Sequence, residues 1–230
     1  MTEIEKPVLM RDLGAVLDRL KDFENPSEGL EQYRTPGDLA ALMLWDAHLR
    51  GDIDGAVVVD LGCGTGVLAY GSLLLGASAA VCLDVDWEAL TIARENIGAL
   101  RGLTDLVAGD VKALPLRSIG SCLVVMNPPF GVKKRGADIL FLRSALRICD
   151  KVYSLHKYSP GGVELVMRVA GEEGFAPLLV AEASMTIKQR LKHHRRRVYR
   201  FKVVLFRFVR TVQVEEPRDE QGSTRGSSSR

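Results

Sequence analysis

The sequence has few of the features that mark secreted, membrane or zinc-ribbon proteins. Only four of its 230 residues are cysteine, and no two of them form a Cys-x-x-Cys pair, so we assign no metal site. No uninterrupted apolar run approaches the ~20 residues that span a bilayer, and the first residues lack the apolar stretch of a secretory signal. We therefore expect a cytoplasmic protein that does not bind membranes and keeps its cysteines reduced in the core, not in disulfides.

One long stretch lacks acidic residues. Residues 188–210 hold ten of the 31 Lys and Arg residues and no Asp or Glu, so the rest of the chain carries 21 basic and 29 acidic residues. A basic segment on an otherwise acidic chain favours an anionic partner, and the phosphates of RNA fit this charge. A second basic run follows residue 130. The residues predicted to contact RNA are Lys133, Lys134, Arg135, Lys188, Arg190, Lys192, Arg195, Arg196 and Arg197.

The rest of the chain alternates buried strands with amphipathic helices. With 47% hydrophobic residues it can bury a full core, and we predict one domain over residues 1–210, with N-terminal helices in 1–50, a core in 56–210 and a disordered tail in 211–230. The alternation predicts an α/β fold with a seven-stranded, mostly parallel sheet and helices on both faces. In such folds ligands bind at the carboxyl ends of the strands.

Glycine and acidic residues follow the first three predicted strands. The first strand runs into Gly62-Cys63-Gly64-Thr65-Gly66, where glycine lets the backbone turn sharply and approach a ligand closely. Asp84 ends the second strand, a position from which an acid accepts hydrogen bonds from ribose hydroxyls. Asp60 would repel a pyrophosphate, and the glycine spacing differs from the dinucleotide fingerprint. Asp110 ends the third strand and is placed to accept from an adenine amino group, although an ordinary turn acid would look the same.

The fourth predicted strand ends in Asn127-Pro128-Pro129-Phe130, which we predict to be the catalytic residues. The Asn127 side chain offers both an acceptor and a donor, Pro128 has a carbonyl but no N–H, and Phe130 has a flat ring. Two acceptors beside an aromatic face suit a planar amino group, such as the exocyclic amine of a nucleobase. Asn and Pro are also common turn residues, so the motif by itself leaves a simple strand-terminating turn open.

Residues before the second predicted helix offer a further polar site. Thr35, Pro36 and Asp38 predict a helix start with Thr35 as the N-cap. Gln32 and Thr35 then lie just outside a helix N-terminus, where free N–H groups can meet a ligand carboxylate. Capping alone explains Thr35 equally well.

Five segments together resemble the methyltransferase-like protein 5 family, whose members are class I S-adenosylmethionine-dependent methyltransferases with a Rossmann-like fold. The segments are residues 30–35, 60–64, 127–131, 152–157 and 194–197, and the resemblance covers about residues 8–210. One departure is Arg34-Thr35-Pro36, because family members have Pro-Thr directly after Glu-Gln-Tyr. The threonine itself is retained.

The resemblance implies methylation of N6 of an adenosine in small-subunit ribosomal RNA, in a heterodimer with a small zinc-containing activator protein. It implies that residues 127–130 hold a flipped adenine. The residues predicted to hold the cofactor, S-adenosylmethionine, are Gln32, Thr35, Asp60, Gly62, Gly64, Thr65, Asp84, Asp110 and Val111.

Three other functions stay open at this point. A protein-glutamine N5-methyltransferase uses a similar loop, although that loop usually ends in Tyr where this chain has Phe130. DNA or another RNA is a second candidate substrate for an amino-methyltransferase. A non-catalytic RNA-binding scaffold is a third possibility, but it would have no need of Asn127, Asp84 and the glycine loop together.

Overall fold

The computed structural model describes residues 9–117, 120–190 and 196–211 of the chain. In these ranges seven strands and six α-helices alternate along most of the chain. The strands are β1 (Val57–Leu61), β2 (Ala79–Asp84), β3 (Thr104–Ala108), β4 (Gly120–Met126), β5 (Cys149–Lys157), β6 (Phe175–Arg190) and β7 (Arg196–Arg210). The helices are α1 (Met10–Leu17), α2 (Gly37–Leu49), α3 (Val67–Leu74), α4 (Trp87–Ile97), α5 (Ala137–Ile148) and α6 (Pro160–Glu172). None of these helices has both the length and the apolar character needed to span a bilayer.

The seven strands form one sheet in the order β3-β2-β1-β4-β5-β7-β6. Strands β1 to β5 are parallel, whereas β7 runs antiparallel to β5 and β6 runs antiparallel to β7. The predicted seven-stranded, mostly parallel sheet is therefore confirmed. Because β1 to β5 are parallel, their carboxyl ends meet at one edge, and the polar residues that follow them are brought together there.

Each face of the sheet has its own apolar core. On one face Val58 and Leu123 pack in a cluster with Met43 of α2. On the other face Val59 and Val124, their neighbours in β1 and β4, pack in a cluster that includes residues of α5 and α6. The central strands are thus buried on both sides, which is why they read as continuous apolar runs.

Helix α2 begins at Gly37, so the prediction of Thr35 as its N-cap is wrong. The N-cap is Pro36, which makes no side-chain cap. Asp18, at the C-terminal end of α1, supplies the missing acceptor, and its Oδ1 accepts from the Gly37 N–H at 2.9 Å. A cap supplied from another helix leaves no local sequence pattern. It also leaves the Thr35 hydroxyl available for contacts at the strand ends.

The structure joins Cys122 and Cys149 in a disulfide, which corrects the prediction that all four cysteines are reduced. Cys122 lies in β4 and Cys149 begins β5, and the pairing of these strands brings their Cα atoms within 5.0 Å. The two cysteines are 27 residues apart, so only the strand pairing reveals their proximity. Cys63 and Cys82 are free and buried, as expected.

The last two strands are longer than predicted and form a hairpin of 16 and 15 residues. Sequence patterns favoured strands only over residues 178–185 and 199–209, because the basic stretch between them lacks the apolar alternation of a half-buried strand. The backbones of Lys188 and Arg190 belong to β6, and those of Arg196 and Arg197 belong to β7. Lys192 and Arg195 lie outside the described residues, as does the predicted tail from residue 212 onward.

The buried carboxylate of Asp52, in the loop before β1, links that loop with strands β5 and β7. Asp52 is 4% exposed and accepts hydrogen bonds from the Tyr153 hydroxyl at 3.0 Å and the Arg207 guanidinium at 2.8 Å. The Lys151 ammonium lies 2.6 Å from its other oxygen. Burial alone would raise the pKa of Asp52, but hydrogen bonds from Arg207 and Lys151 outweigh burial and hold this pKa below its ordinary value.

We expect Asp52→Asn to lower the free energy of unfolding by about 2 kcal/mol at neutral pH, because two cations lose their carboxylate. The folded-state pKa of Asp52 is depressed, so its contribution is present above the unfolded pKa and is lost as pH falls below about 4. Urea unfolding should show that the difference in free energy of unfolding between wild type and variant is smaller near pH 3 than at neutral pH. Asp105→Asn, an exposed substitution on β3, is the control, and an equal loss in both variants would contradict the prediction.

Candidate active site

A cleft opens where β1, β2, β3 and β4 end, and most of the predicted site residues line it. All nine residues predicted to hold a cofactor are among its lining residues, and so are Asn127, Pro129 and Lys134. Pro128 is buried, and Phe130 packs against the core cluster on the α2 face of the sheet. The four residues of the motif therefore divide between the wall of the cleft and its support.

The glycine loop after β1 forms the floor of the cleft. Gly62, Gly64 and Gly66 have φ angles of 76°, 52° and 79°, a left-handed conformation that disfavours side chains. The Gly64 N–H donates to Asp84 Oδ2 at 2.8 Å, which ties this loop to the end of β2. The loop is thus held against the strand whose terminal acid was predicted to meet a ribose.

Asp60, the residue before the last position of β1, is the most deeply buried acid of the cleft. It is 1% exposed, and its Oδ2 accepts from the Ala69 N–H at 2.9 Å. Burial raises the pKa of Asp60 to about 7, the Ala69 hydrogen bond opposes this shift, and the charge of Asp84 adds to it. Asp60 is therefore half ionised near neutral pH, and a cation placed beside it would drive it to the charged form.

Asp84 lies at the end of β2 and is 9% exposed. Besides Gly64, it accepts from the Asp86 N–H, at 2.9 Å. Burial raises the pKa of Asp84 and the Asp86 charge adds to this shift, although the backbone hydrogen bonds oppose it. A carboxylate has about four acceptor positions, so the backbone donors to Asp84 still leave capacity for a hydroxyl of a ligand.

Gln32 bridges two loops beside the cleft. Its Nε2 donates to Asp86 Oδ2 at 2.7 Å, and its Oε1 accepts from the Ser27 N–H at 2.7 Å. A side-chain amide carries a second hydrogen on Nε2. Gln32 can therefore hold the loop in place and still donate to a carboxylate in the cleft.

A second pair of contacts crosses the cleft entrance. Glu31, which has a left-handed φ of 53°, accepts from the Lys133 N–H at 2.6 Å. The Lys133 ammonium also lies 3.8 Å from Glu28. The sequence predicted Lys133, Lys134 and Arg135 as one RNA-binding run, but the structure separates their environments. Lys133 pairs with acids, whereas Lys134 lines the cleft and Arg135 is exposed.

Asn127 is fixed by one hydrogen bond and keeps a free acceptor. Its Nδ2 donates to the Thr35 hydroxyl at 3.1 Å. Its Oδ1 is buried and accepts no hydrogen bond from the described part of the chain. An acceptor in that state costs free energy until a donor reaches it. The sequence predicts Thr35 as a cofactor contact and carries no signal for its contact with Asn127.

Two aromatic residues that the sequence analysis did not select support the motif. The Tyr33 ring stacks on Phe130 with centroids 5.4 Å apart and planes 19° apart, and Phe201 meets Phe130 edge-on at 5.3 Å. The Tyr33 hydroxyl donates to the Pro128 carbonyl at 3.3 Å, and burial raises the Tyr33 pKa well above its ordinary value. The only sequence signal for Tyr33 is its place in the Glu-Gln-Tyr segment, and for Phe201 there is none.

Asp110, Val111 and Thr65 complete the far wall of the cleft. Asp110 caps a short 3-10 helix, Val111–Ala113, by accepting from the Lys112 N–H at 2.9 Å. Asp110 therefore has the ordinary turn role that the sequence left open as an alternative, and it also lines the cleft. The Thr65 hydroxyl is buried with no partner among the described residues.

These groups fit a ligand that combines a nucleoside with a charged amino-acid tail. Asp84 and Asp110 offer acceptors for ribose hydroxyls and an amino group, and Asp60 offers a negative charge to a cationic centre. The buried Thr65 hydroxyl has no hydrogen-bond partner in the described ranges, and such a ligand can supply one. S-adenosylmethionine has all of these features.

Comparison with known proteins supports a methyltransferase site. Residues 38–147 match the Methyltransferase small domain. The chain is 34% identical to the rRNA N(6)-adenosine-methyltransferase METTL5 of Danio rerio, over 88% of this chain and 99% of that protein. It is 37% identical to the protein of that name from Drosophila melanogaster, over 86% of this chain and 95% of the other.

A crystal structure of a protein from Pyrococcus horikoshii has the same fold. It superimposes with a TM-score of 0.78 at 40% identity and covers 88% of this chain and 98% of the other. Sequence identity at this level over nearly the whole length of each protein, together with a cleft that fits the cofactor, shows the family of this chain. The chain belongs to the METTL5 family of class I methyltransferases, whose methyl donor is S-adenosylmethionine.

Proposed function

We propose that this protein transfers a methyl group from S-adenosylmethionine to N6 of an adenosine in small-subunit ribosomal RNA. One observation carries the proposal: the Asn127 Oδ1 is buried at the edge of the cofactor cleft and accepts no hydrogen bond from any residue that the structure describes. A primary amine with two hydrogens is the donor that this oxygen and the neighbouring Pro128 carbonyl can share. Adenine N6 is such an amine, and a METTL5 relative is named for its methylation.

The residues act by holding the amine in place. S-adenosylmethionine supplies an electrophilic methyl group. The Thr35 hydroxyl fixes the Asn127 amide so that its oxygen faces the substrate, and the Pro128 carbonyl, which already accepts from Tyr33, keeps a second lone pair for the other amine hydrogen. The amine would then direct its N6 lone pair toward the cofactor, and both carbonyls would stabilise the positive charge on nitrogen until one N6 proton is released to solvent.

Phe130 offers one face to the flipped adenine. Tyr33 already stacks on the opposite face, so base and tyrosine would sandwich the Phe130 ring. Extrusion of the base costs a few kcal/mol, and stacking returns about 1–3 kcal/mol of that cost. Selection of adenine thus rests on two acceptors for the amine and on one aromatic surface.

The proposal also includes a partner protein, a cellular location and the residues that contact RNA. The family resemblance implies a heterodimer with a small zinc-containing activator, and a cytoplasmic location stays an expectation. Contact with RNA phosphates is assigned to Lys134, Arg135 and the basic residues near the tip of the β6–β7 hairpin. Lys133 has a smaller part, since Glu28 and Glu31 already engage it.

The direct test is transfer of labelled methyl from S-adenosylmethionine to total small-subunit RNA, followed by nucleoside mass spectrometry, with and without the activator. We expect N6-methyladenosine. Label found only in protein would replace the proposal with glutamine methylation, which uses the same pair of acceptors. Cofactor binding without any label, even when the activator is present, would favour a non-catalytic scaffold.

We expect Asn127→Ala to reduce methyl transfer by at least about 100-fold, because the amine loses one of its two acceptors. The affinity for S-adenosylmethionine, measured by calorimetry, should change little. Asn25→Ala, an exposed substitution in the loop after α1, is the matched control and should leave both unchanged. An Asn127→Ala enzyme that keeps most of its activity would remove this residue from the reaction.

Thr35 should act through Asn127. Thr35→Val keeps the shape but removes the hydroxyl that accepts from Asn127, so we expect kcat to fall about fivefold to tenfold. Thr35→Ser should restore kcat because it keeps that hydroxyl. Steady-state kinetics of both variants separates the two roles of Thr35, since loss of a cofactor contact alone would raise KM for S-adenosylmethionine and leave kcat unchanged.

Cofactor affinity should rise with pH around neutrality. The pKa of Asp60 is about 7 in the structure described here, so the carboxyl passes from neutral to ionised as pH increases through that value. S-adenosylmethionine has a net positive charge and binds the ionised form more tightly. Relative to Asp60→Asn, we expect wild-type affinity to gain about tenfold between pH 6 and pH 8. The titration of the ligand itself is common to both proteins, so parallel profiles would contradict this role.

A further inference from the structure

Two pairs of residues lie side by side just past the end of β5. They are Lys157, the last residue of β5, with Tyr158 directly after it, and Phe201 and Lys202 on β7; we call these four residues the flanking strip. The Tyr158 N–H donates to the Lys202 carbonyl at 2.9 Å, which continues the antiparallel pairing of β5 with β7. Since β4 and β5 are parallel, with Met126 beside Ser154, the strip lies at the same edge of the sheet as Asn127.

The strip touches the motif directly. The edge-on contact of Phe201 with Phe130, at 5.3 Å, forms its inner end. The Lys157 ammonium lies 5.5 Å from the centroid of the Phe201 ring. Phe201 and Lys157 therefore lie beside the residue on which the target base would stack. Tyr158 and Lys202 are the next residues along the two segments, and because side chains alternate along a strand they lie on the other face of the sheet, so the strip crosses the sheet at the end of β5.

The outer end of the strip has an exposed aromatic ring beside a second cation. Tyr158 is 37% exposed, and the Lys202 ammonium lies 5.8 Å from the centroid of its ring. Both lysines of the strip are exposed, and neither lies within ion-pair distance of a carboxylate in the ranges that the structure describes. This contrasts with Lys133, whose charge is balanced by Glu28.

Rings that alternate with unbalanced cations suit a single-stranded nucleic acid. Each base can stack on an aromatic side chain whatever its identity, while the cations neutralise phosphates. A protein partner would instead call for a dry apolar centre, and two exposed ammonium groups do not provide one. The chemistry of the strip therefore selects RNA.

We propose that the flanking strip binds the nucleotides next to the target adenosine. Tyr158 stacks with a neighbouring base, and Lys157 and Lys202 neutralise the phosphates on either side of that base. The strip would keep the RNA single-stranded beside the flipped adenine and would bind it independently of base sequence. This inference rests on the proposed function, because it extends the path of the RNA strand away from residues 127–130.

The test measures binding of a fluorescein-labelled single-stranded oligouridylate to the full chain by anisotropy, at several salt concentrations. Tyr158→Leu should weaken binding about tenfold at every salt concentration, and Tyr158→Phe should restore it. The double variant Lys157→Gln/Lys202→Gln should lower the slope of log affinity against log salt by about 1.4. Arg147→Gln is the matched control, because Arg147 is an exposed cation near the end of α5, at the opposite edge of the sheet.

The outcomes separate this inference from the proposed function. If the variants bind oligouridylate as tightly as the wild type, the proposal that the strip binds RNA is wrong, even if the wild type forms N6-methyladenosine in small-subunit RNA. Variants that lose stimulation by the activator but keep their RNA affinity would also overturn it and would make the strip a protein contact. A wild type that binds the oligomer through the strip but forms no methylated nucleoside would overturn the proposed function alone.

Discussion

The hydrogen bond from the Asn127 amide to the Thr35 hydroxyl is the contact on which the active site depends. It joins residues that are 92 positions apart, one at the end of a central strand and the other just before α2. With its donor committed to Thr35, Asn127 presents an acceptor to the cleft. The Asp18 cap on α2 makes this possible, because Thr35 is released from the task of capping that helix. The cap that the end of α1 supplies to α2 therefore determines which atom of Asn127 meets the substrate.

The sequence predicts those parts of the fold and site that depend on local patterns. Central strands buried on both sides appear as apolar runs, and the residues that end them, such as Asp84 and Asn127, are brought together by the parallel sheet alone. The contacts it could not predict join distant segments. The stacking of Tyr33 on Phe130, the cap from Asp18 and the Cys122–Cys149 bridge all require knowledge of which elements are neighbours. The long basic hairpin was underestimated because its outer part has no apolar face to give a strand pattern.

Charge in this protein is sorted along one edge of the sheet. The cofactor end is acidic and buried, so the pKa of Asp60 and the pKa of Asp84 rise, and a cationic ligand gains from their ionisation. The other end is basic and exposed, with Lys157 and Lys202 in solvent. Phe130 stands between the two regions with Tyr33 on one side and Phe201 on another. The methyl donor and the polyanion are thus attracted to adjacent places without competing for one site.

The strand order has a consequence for how the chain is assembled. Strand β7 is made last, yet it lies between β5 and β6, so β6 has no neighbour in the sheet until β7 is complete. On a translating ribosome, β1 to β5 can pair as they emerge, whereas the hairpin must wait for the final strand. The half of the molecule that holds the cofactor can therefore form first. A chain released before β7 would lack Phe201 and with it the contact between the motif and the basic hairpin.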